Sequence, residues 1–348
     1  MQRFFLAMLV FVPITAIAFF LHASPVTLFV LSAIAIIPLA KYIGNATEEL
    51  SSHTGPAVGG LLNATFGNIT ELIIGVLALG AGLTEVVKAS ITGSILGNLL
   101  LVMGTAMFAG GIRFKKQTFN TTAALASGST LLLASIALVT PAIFILTAPA
   151  ISGVVVEKLS ITIAVLMIVS YLASLVFSLH THKHLYSEEA VYITPKWSKS
   201  ESIMVLLVST VLVAWMSDIL VSAIQPLIAI FGWSPLFIGV IFIAIIGNAA
   251  EHASAITVAV RNRMDLALQI SVGSATQIVM FVAPVLVLVS LAFSTPMTLV
   301  FNFFEVMSII FAVFITNTII EDGESNWFEG LQLLVAYFII AVAFFFHP

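Results

Sequence analysis

Cysteine is absent from this sequence, and charged residues are scarce. Without cysteine the chain can form neither a disulfide nor a thiolate metal site. Lys, Arg, Asp and Glu make up 8% of the 348 residues, whereas a soluble domain carries about 25%. The chain also lacks a basic stripe that would bind nucleic acid. It has neither a phosphate-binding loop nor a soluble catalytic domain, and this excludes an ATP-driven pump. With 60% hydrophobic residues, the composition predicts an integral membrane protein.

Eleven apolar runs follow one another along the chain, each about as long as a helix needs to cross a bilayer. The first run follows Arg3 and precedes His22, as in a signal peptide, but its apolar core is longer than the roughly 7–15 residues of a cleaved segment. We therefore interpret it as a retained span and predict an all-α integral membrane protein with eleven transmembrane helices. The runs lie near 4–21, 26–42, 57–80, 86–110, 119–140, 159–179, 203–221, 235–259, 266–291, 296–318 and 329–346.

The basic residues are distributed unevenly over the loops between these spans. Ten of the 12 Lys and Arg residues fall on the side that an eleven-span chain assigns to its N-terminus, and only Lys88 and Lys158 fall on the other. Cytoplasmic loops carry such an excess of positive charge. We therefore predict a cytoplasmic N-terminus and a C-terminus on the outer side of the membrane.

Part of the sequence repeats at a fixed offset without a gap, the offset that separates Glu71 from Glu251. The two copies lie five spans apart, and because five is odd they cross the membrane in opposite directions, as in the inverted-topology repeats of many secondary transporters. We predict an N-terminal transmembrane helix at 1–24, a first five-helix repeat at 25–180, a cytoplasmic linker loop at 181–202 and a second five-helix repeat at 203–348. The offset aligns Ala64 with Ala244, Gly67 with Gly247, Asn68 with Asn248, Glu71 with Glu251, Glu85 with Asp265, Gly93 with Gly273 and Ser94 with Ser274.

Each copy places a carboxylate near the middle of a span, at Glu71 and at Glu251. A charged side chain at that depth costs about 2.5–3.5 kcal/mol on insertion scales, and the spans offer no Lys or Arg to neutralise it. Asn68 and Asn248 each precede a glutamate by three residues, a spacing that puts the carboxamide and the carboxylate on one face of a helix. We therefore predict that the two copies are the halves of one cation site.

The expected site is a shell of oxygen ligands, because hard cations such as Ca²⁺ take about six to eight oxygens from carboxylates, amides, backbone and water. The glycine before each asparagine either lets a neighbouring backbone approach or breaks the helix and frees carbonyl groups. For Ser94 and Ser274, helix packing alone is an equally good explanation. The predicted metal ligands are Glu71, Glu251, Asn68, Asn248, Gly67, Gly247, Ser94, Asn98, Ser274 and Gln277.

Proton coupling needs titratable groups within the spans, and four residues are candidates: Glu71, Glu251, His252 and Glu305. His252 adjoins Glu251 and either tunes the proton affinity of its neighbour or makes an ordinary hydrogen bond. Glu305 has no counterpart in the first repeat, so it is either a proton relay or a structural acid bonded to a neighbouring helix. The sequence leaves both alternatives open for each of these two residues.

Two long stretches extend the repeated motif. The first, at 60–74, reads Gly-Leu-Leu-Asn-Ala-Thr-Phe-Gly-Asn-Ile-Thr-Glu-Leu-Ile-Ile. The second, at 247–252 and 273–278, reads Gly-Asn-Ala-Ala-Glu-His and Gly-Ser-Ala-Thr-Gln-Ile. On these residues the chain resembles the cation/proton exchanger (CAX) family of the Ca²⁺/cation antiporter superfamily, and the resemblance covers nearly the whole chain.

The resemblance implies one regulatory-type span followed by two inverted five-span repeats. It implies an antiporter rather than an enzyme, which exports Ca²⁺ in exchange for entering H⁺, with Glu71 and Glu251 shared between the two ions. No cofactor is expected, since Ca²⁺ and H⁺ are the transported ions and the lipid bilayer is the surrounding partner. The expected location is a bacterial plasma membrane, and the sequence leaves homo-oligomerisation open.

Two other functions compete with this one. A Na⁺-coupled Ca²⁺ exchanger of the same superfamily would carry paired hydroxyls and a proline at the motif, and this chain has neither. A passive cation channel, which belongs to a different class, would also use glutamates at the midplane. An intramembrane hydrolase fits less well, because Glu251-His252 has no second metal-binding partner in the neighbouring spans.

Overall fold

The computed structural model describes residues 2–54, 56–182 and 195–347, and these residues are almost entirely helical. The predicted helical membrane class is therefore confirmed. Of the predicted linker loop at 181–202, residues 183–194 lie outside the described residues. The rest of that loop is anchored, because Glu49 Oε2 accepts from the backbone N–H groups of Lys196 and Trp197 at 2.7 and 3.3 Å.

The chain folds as two compact units. The first unit comprises residues 1–83 and 173–235, and the second comprises residues 84–172 and 236–348. Each unit therefore takes segments from both predicted repeats. The repeat boundaries concern sequence symmetry rather than compactness, so they stay a prediction.

The first unit is centred on two long helices, Pro25–Thr54 and Lys199–Phe231, which pack along each other. Large apolar residues such as Ile36, Leu39 and Ile224 are fully buried there. The second of these helices starts at a capping box, in which Ser198 and Glu201 satisfy each other's backbone N–H groups. The other helices are Gln2–Met8, Phe11–Phe20, Pro56–Phe66 and Ile69–Gly80, with a π-helical turn at Phe177–Thr181.

The second unit contains the remaining helices and the one small sheet of the described chain. Its strands, β1 (Lys116–Thr118) and β2 (Glu324–Asn326), are antiparallel and place Gln117 opposite Ser325. We call these two strands the sheet ribbon. The helical spans are Thr84–Phe114, Thr121–Thr147, Gly153–Val176, Pro235–Gly247, Ala249–Ala259, Met264–Ser290, Phe303–Ile319 and Trp327–Phe346, with π-helical segments at Gly97–Val102, Ile238–Ile243 and Ile278–Val282.

Within the described residues, eight helices are long and apolar enough to cross a membrane. The bent pair Pro235–Gly247 and Ala249–Ala259 makes a ninth if the pair counts as one span, and Ile69–Gly80 and Phe303–Ile319 are shorter apolar helices. Every one of the eleven predicted runs overlaps one of the helices above, but the count of eleven spans stays a prediction.

The predicted run at 296–318 starts too early. Its helix begins only at Phe303, because Asn302 and Glu305 form a capping box that fixes the first turn there. The preceding residues are held without a helix, since the backbone N–H of Leu299 donates to Ser160 Oγ at 3.0 Å. Because the capping box lies within the apolar run, the helix begins later than the hydropathy of the run predicts.

Helix boundaries recur at the same offset as the sequence repeat. Ile69–Gly80, which we call the first half-helix, begins at the position that the offset aligns with the start of Ala249–Ala259, which we call the second half-helix. The following helices begin at Thr84 and at Met264, which the same offset also aligns. The two copies therefore share local structure as well as sequence, while their opposite orientation in the membrane stays a prediction.

One close helix crossing in the second unit depends on a glycine. A Cβ added at Gly93 would overlap the backbone of Val240, including its carbonyl oxygen, whereas a Cβ at the repeat-equivalent Gly273 would meet open space. Contact between backbones at this distance requires the smallest residue. The repeated glycine is thus a packing requirement in one copy only.

This difference gives a matched pair of variants. Gly93→Ala should destabilise the protein by about 1–3 kcal/mol, because the Val240 backbone has to shift. Gly273→Ala should be neutral or slightly stabilising, since alanine is favoured over glycine in a helix by about 0.5–1 kcal/mol. The measurement is the melting temperature of each purified variant in detergent, and equal melting temperatures would contradict the close crossing.

Candidate cation site

Both copies of the motif interrupt their helices at the glycine-asparagine pair. Asn68 stands in the N-cap position of the first half-helix and Asn248 in that of the second half-helix, and neither side chain makes a capping hydrogen bond. At Asn248 the chain bends by 58°. Both copies therefore show the helix break that is one of the two alternatives for the glycines.

Each glutamate lies in the first turn of its half-helix, Glu71 in the first and Glu251 in the second. The first N–H groups of a helix have no partner within the helix, and that end carries about half a positive elementary charge. A helix start therefore favours the carboxylate that each apolar run contains. The three-residue spacing therefore places the asparagine at the N-cap and the glutamate in the first turn. The sequence had suggested two positions of one continuous helix instead.

The first unit holds Gly67, Asn68 and Glu71. Asn68 is 1% exposed and Glu71 is half-buried, and the backbone N–H of Gly67 donates to the Asn63 carbonyl at 2.8 Å. The first half-helix packs against Lys199–Phe231. This unit thus presents a carboxamide and a carboxylate together at a supported helix end.

The second unit joins four predicted site residues into one chain of hydrogen bonds, which we call the carboxamide network (Ser94, Asn98, Asn248 and Ser274). Asn98 Nδ2 donates to Asn248 Oδ1 at 2.8 Å and to Ser274 Oγ at 3.0 Å. Asn248 Nδ2 donates to Ser94 Oγ and to the Ala244 carbonyl, both at 2.8 Å. All four side chains are buried. The two serines are therefore hydrogen-bond partners that connect separate helices.

The side-chain oxygen of Asn98 is the atom that the network leaves available. Asn98 is fully buried, and its Oδ1 makes no hydrogen bond within the described part of the chain. A buried acceptor without a partner costs about 1–3 kcal/mol, so this oxygen suits a cation ligand. Asn98 lies in the π-helical segment Gly97–Val102, and such segments occur frequently at functional sites. The sequence carried no signal for the π-helical turn.

Gln277 and His252 also lie in the second unit. Gln277 is half-buried at the last residue of Met264–Gln277, directly before the π-helical segment Ile278–Val282. His252 follows Glu251 in the second half-helix, and its Nε2 is buried without a hydrogen-bond partner among the described residues. An ordinary hydrogen bond through that nitrogen is thus not formed.

Glu305 is 2% exposed, and both of its carboxylate oxygens are engaged. Oε1 accepts from Thr92 Oγ1 at 3.0 Å, and Oε2 accepts from the backbone N–H of Asn302 at 3.0 Å. Glu305 therefore links its own helix start to the helix that carries Asn98, as a structural acid would. Sequence reasoning missed Thr92, although a hydroxyl in the same span as two predicted ligands was a usable signal.

Carboxylates and imidazoles alone do not form a metal centre in the described residues, since no group of three or more His, Cys, Asp or Glu side chains converges there. A cation site would therefore combine carboxylate, carboxamide, hydroxyl and backbone oxygens, the donor set that Ca²⁺ prefers.

Known proteins match this chain over nearly its full length. A family model described as sodium/calcium exchanger protein matches residues 24–180 and 201–346. The chain is 46% identical to a Ca(2+)/H(+) antiporter of Synechocystis sp., with 100% of this chain and 98% of that protein covered. It is 47% identical to the Ca(2+)/H(+) antiporter ChaA of Bacillus subtilis, with 98% of each covered.

Solved structures agree with these sequence matches. The structure of native YfkE superposes with a TM-score of 0.86 at 44% identity and covers 99% of both chains. The crystal structure of the H⁺/Ca²⁺ exchanger CAX superposes with a TM-score of 0.77, covering 99% of this chain and 92% of that one. At 14% identity, the second match shows a shared fold alone.

The carboxamide network predicts a specific loss of stability. Asn98→Leu removes the amide group that donates to Asn248 Oδ1. The change should destabilise the second unit by about 1–3 kcal/mol. Thr105→Val is the matched control on the same helical span, because within the described ranges the Thr105 hydroxyl bonds only to the Leu101 carbonyl one turn before it. Melting temperatures in detergent should fall for Asn98→Leu and stay near wild type for Thr105→Val. A similar change in both variants would contradict the network.

Proposed function

The chain belongs to the sodium/calcium exchanger protein family, as the cation/proton exchanger resemblance predicted, and we propose that it exchanges Ca²⁺ for H⁺ across the membrane. The observation that carries the proposal is the pair of half-helices, each opening on a buried asparagine with a glutamate in its first turn. The near full-length relatives named Ca²⁺/H⁺ antiporters support the choice of ions.

The proposed cation site draws on both repeats. Glu71 with Asn68 and Gly67 would contribute from the first repeat, and Glu251 with Asn248 and Gly247 from the second. Ser94, Asn98, Ser274 and Gln277 would complete it, with Asn98 Oδ1 as the most available neutral ligand because it lacks a partner among the described residues. Asn248 donates both of its amide hydrogens, and its Oδ1 accepts from Asn98. Because its polar atoms are already hydrogen-bonded, the main contribution of Asn248 would be to orient Asn98.

Each carboxylate would hold either a proton or a share of one Ca²⁺, because desolvation favours the protonated form and a nearby cation favours the ionised form. Two glutamates that exchange two protons for one Ca²⁺ make an electroneutral cycle. A third proton, on His252 or Glu305, would make the cycle carry charge. Since both oxygens of Glu305 are engaged within the protein, His252 is the better placed of the two.

Transport would proceed by alternating access, with no covalent chemistry and no cofactor. We propose eleven spans, arranged as one N-terminal helix and two inverted five-helix repeats, which expose a midplane site to each side in turn. The N-terminus would be cytoplasmic and the C-terminus outside, in a bacterial plasma membrane, as the distribution of Lys and Arg favours. An empty site with two negative charges would be costly to occlude, which couples the movement to loading with Ca²⁺ or protons.

Removing either carboxylate charge tests the site. In proteoliposomes with an imposed pH gradient, Glu71→Gln and Glu251→Gln should each reduce Ca²⁺ flux to the level of protein-free liposomes, because glutamine neither ionises nor carries a proton. Glu321→Gln is the control, since Glu321 lies exposed in the loop before β2. Robust proton-driven Ca²⁺ flux in either site variant would overturn the assignment.

The driving ion separates this function from its two rivals. A pH gradient should move Ca²⁺ against its own gradient, whereas a Na⁺ gradient of equal size at constant pH should not. Uphill movement excludes a passive channel, and flux driven by Na⁺ alone would favour the Na⁺-coupled exchanger instead. The same liposomes with the membrane potential clamped at different values report the stoichiometry, since only a cycle with a third proton responds to voltage.

A further inference from the structure

Gln117 is a buried side chain that the proposed ion site does not include. It is the middle residue of β1 and only 2% exposed. Its Nε2 donates to the Ala259 carbonyl at 2.9 Å and to Asn262 Oδ1 at 3.0 Å. Because the Ala259 carbonyl can only accept, the amide nitrogen must face it, and this fixes the orientation of the carboxamide.

The residue that Gln117 holds is the last one of the second half-helix. The end of a helix carries about half a negative elementary charge, and the Ala259 carbonyl accepts from the backbone N–H of Asn262 at 3.0 Å as well as from Gln117. The amide donor of Gln117 therefore uses the second lone pair of that carbonyl. The half-helix has 11 residues, with Glu251 in its first turn and Ala259 at its end. At about 1.5 Å per residue the two are roughly 12 Å apart on one rigid rod, so a shift at Ala259 moves Glu251 as well.

The sheet ribbon that carries Gln117 is itself firmly connected within the second unit. Its register pairs Lys116 with Asn326 on the backbone, and the Lys116 side chain forms an ion pair with Glu324. Directly after β1, the backbone N–H of Asn120 donates to Asp265 Oδ1 at 2.6 Å, in the first turn of Met264–Ser290. Gln117 therefore couples the second half-helix to an anchored element rather than to a free loop.

The first half-helix has a different residue at the equivalent point. Gly82 and Asn262 are aligned by the offset of the repeat, and both adopt the left-handed backbone conformation, with φ of 74° and 59°. Glycine adopts this conformation freely and asparagine tolerates it better than most residues. Only the asparagine copy offers a side chain, and that side chain accepts from Gln117. The connection to Gln117 is thus specific to the second copy.

We propose that Gln117 is a positioning residue for ion exchange, which fixes the C-terminal end of the second half-helix and thereby the placement of Glu251. This inference rests on the proposed function, because Glu251 matters only if it binds the transported ions. Backbone pairing between β1 and β2 needs no side-chain amide at Gln117, so a role in sheet formation alone does not account for its two bonds to the half-helix and the turn that follows it.

The test uses the full chain in proteoliposomes and compares Gln117→Met with wild type. Methionine is similar in length and apolar, so it preserves packing but donates no hydrogen bond. The KM for Ca²⁺ in pH-driven uptake should rise about tenfold, as expected for the loss of buried hydrogen bonds, with the maximal rate within about twofold of wild type. Thr118→Ala, at an exposed position of the same strand, should leave both constants unchanged.

Asn262→Gly provides the second arm, because glycine keeps the left-handed backbone and removes only the side-chain acceptor. It should raise the KM by less than Gln117→Met, since the bond to the Ala259 carbonyl remains. Combining the two changes should add little to Gln117→Met alone, because both act on the same connection. Additive effects, or a larger effect of Asn262→Gly, would contradict the proposal.

Equilibrium binding of radiolabelled Ca²⁺ to the purified variants separates this proposal from the proposed function. If wild type shows no proton-driven uptake, the proposed function fails. If wild type exchanges ions but Gln117→Met has the same KM and the same Ca²⁺ affinity, the positioning role fails and the function stands. A lowered melting temperature with unchanged KM and affinity would also overturn the positioning role, because it would show that Gln117 only stabilises the fold.

Discussion

The energetic penalty of a carboxylate within a long apolar run is the constraint on which the rest of this structure depends. The penalty is reduced in the same way for Glu71 and Glu251, because each lies in the first turn of a helix that starts within an apolar run. The open end of such a helix offers unpaired N–H groups and a positive partial charge. A continuous helix would offer neither, so the break at the glycine-asparagine pair and the position of the glutamate belong together.

In the second unit, the carboxamide network surrounds the helix break with hydrogen bonds. Asn248 stands at the break, donates back to the Ala244 carbonyl and accepts from Asn98. Because Asn98 donates its amide hydrogens to Asn248 and to Ser274, only its oxygen remains for another role. The amide nitrogen of Asn98 therefore supports the break at Asn248, and the oxygen of the same side chain is available as a cation ligand.

The sequence predicted the helical membrane class, the positions of the helices and the repeated motif, because long apolar runs and a fixed offset are strong one-dimensional signals. It also identified Ser94, Asn98, Asn248 and Ser274 as site residues, and the structure joins these four. Hydropathy predicted neither the π-helical turns, nor the late start at Phe303, nor the bond from Thr92 to Glu305. Each depends on a hydrogen-bond choice between neighbouring residues or distant helices that hydropathy does not record.

The two copies of the repeat are not equivalent, either in what surrounds an aligned residue or in which side chain stands there. Gly93 is confined by the Val240 backbone while Gly273 faces open space, and Asn262 offers an acceptor where Gly82 has none. A perfectly symmetric pair of repeats would hold both half-helices equally tightly. The second half-helix is connected to Gln117 at its C-terminal end, through the Ala259 carbonyl and through the turn at Asn262. Such asymmetry gives the two glutamates different mechanical supports, although the same motif places each of them at a helix start.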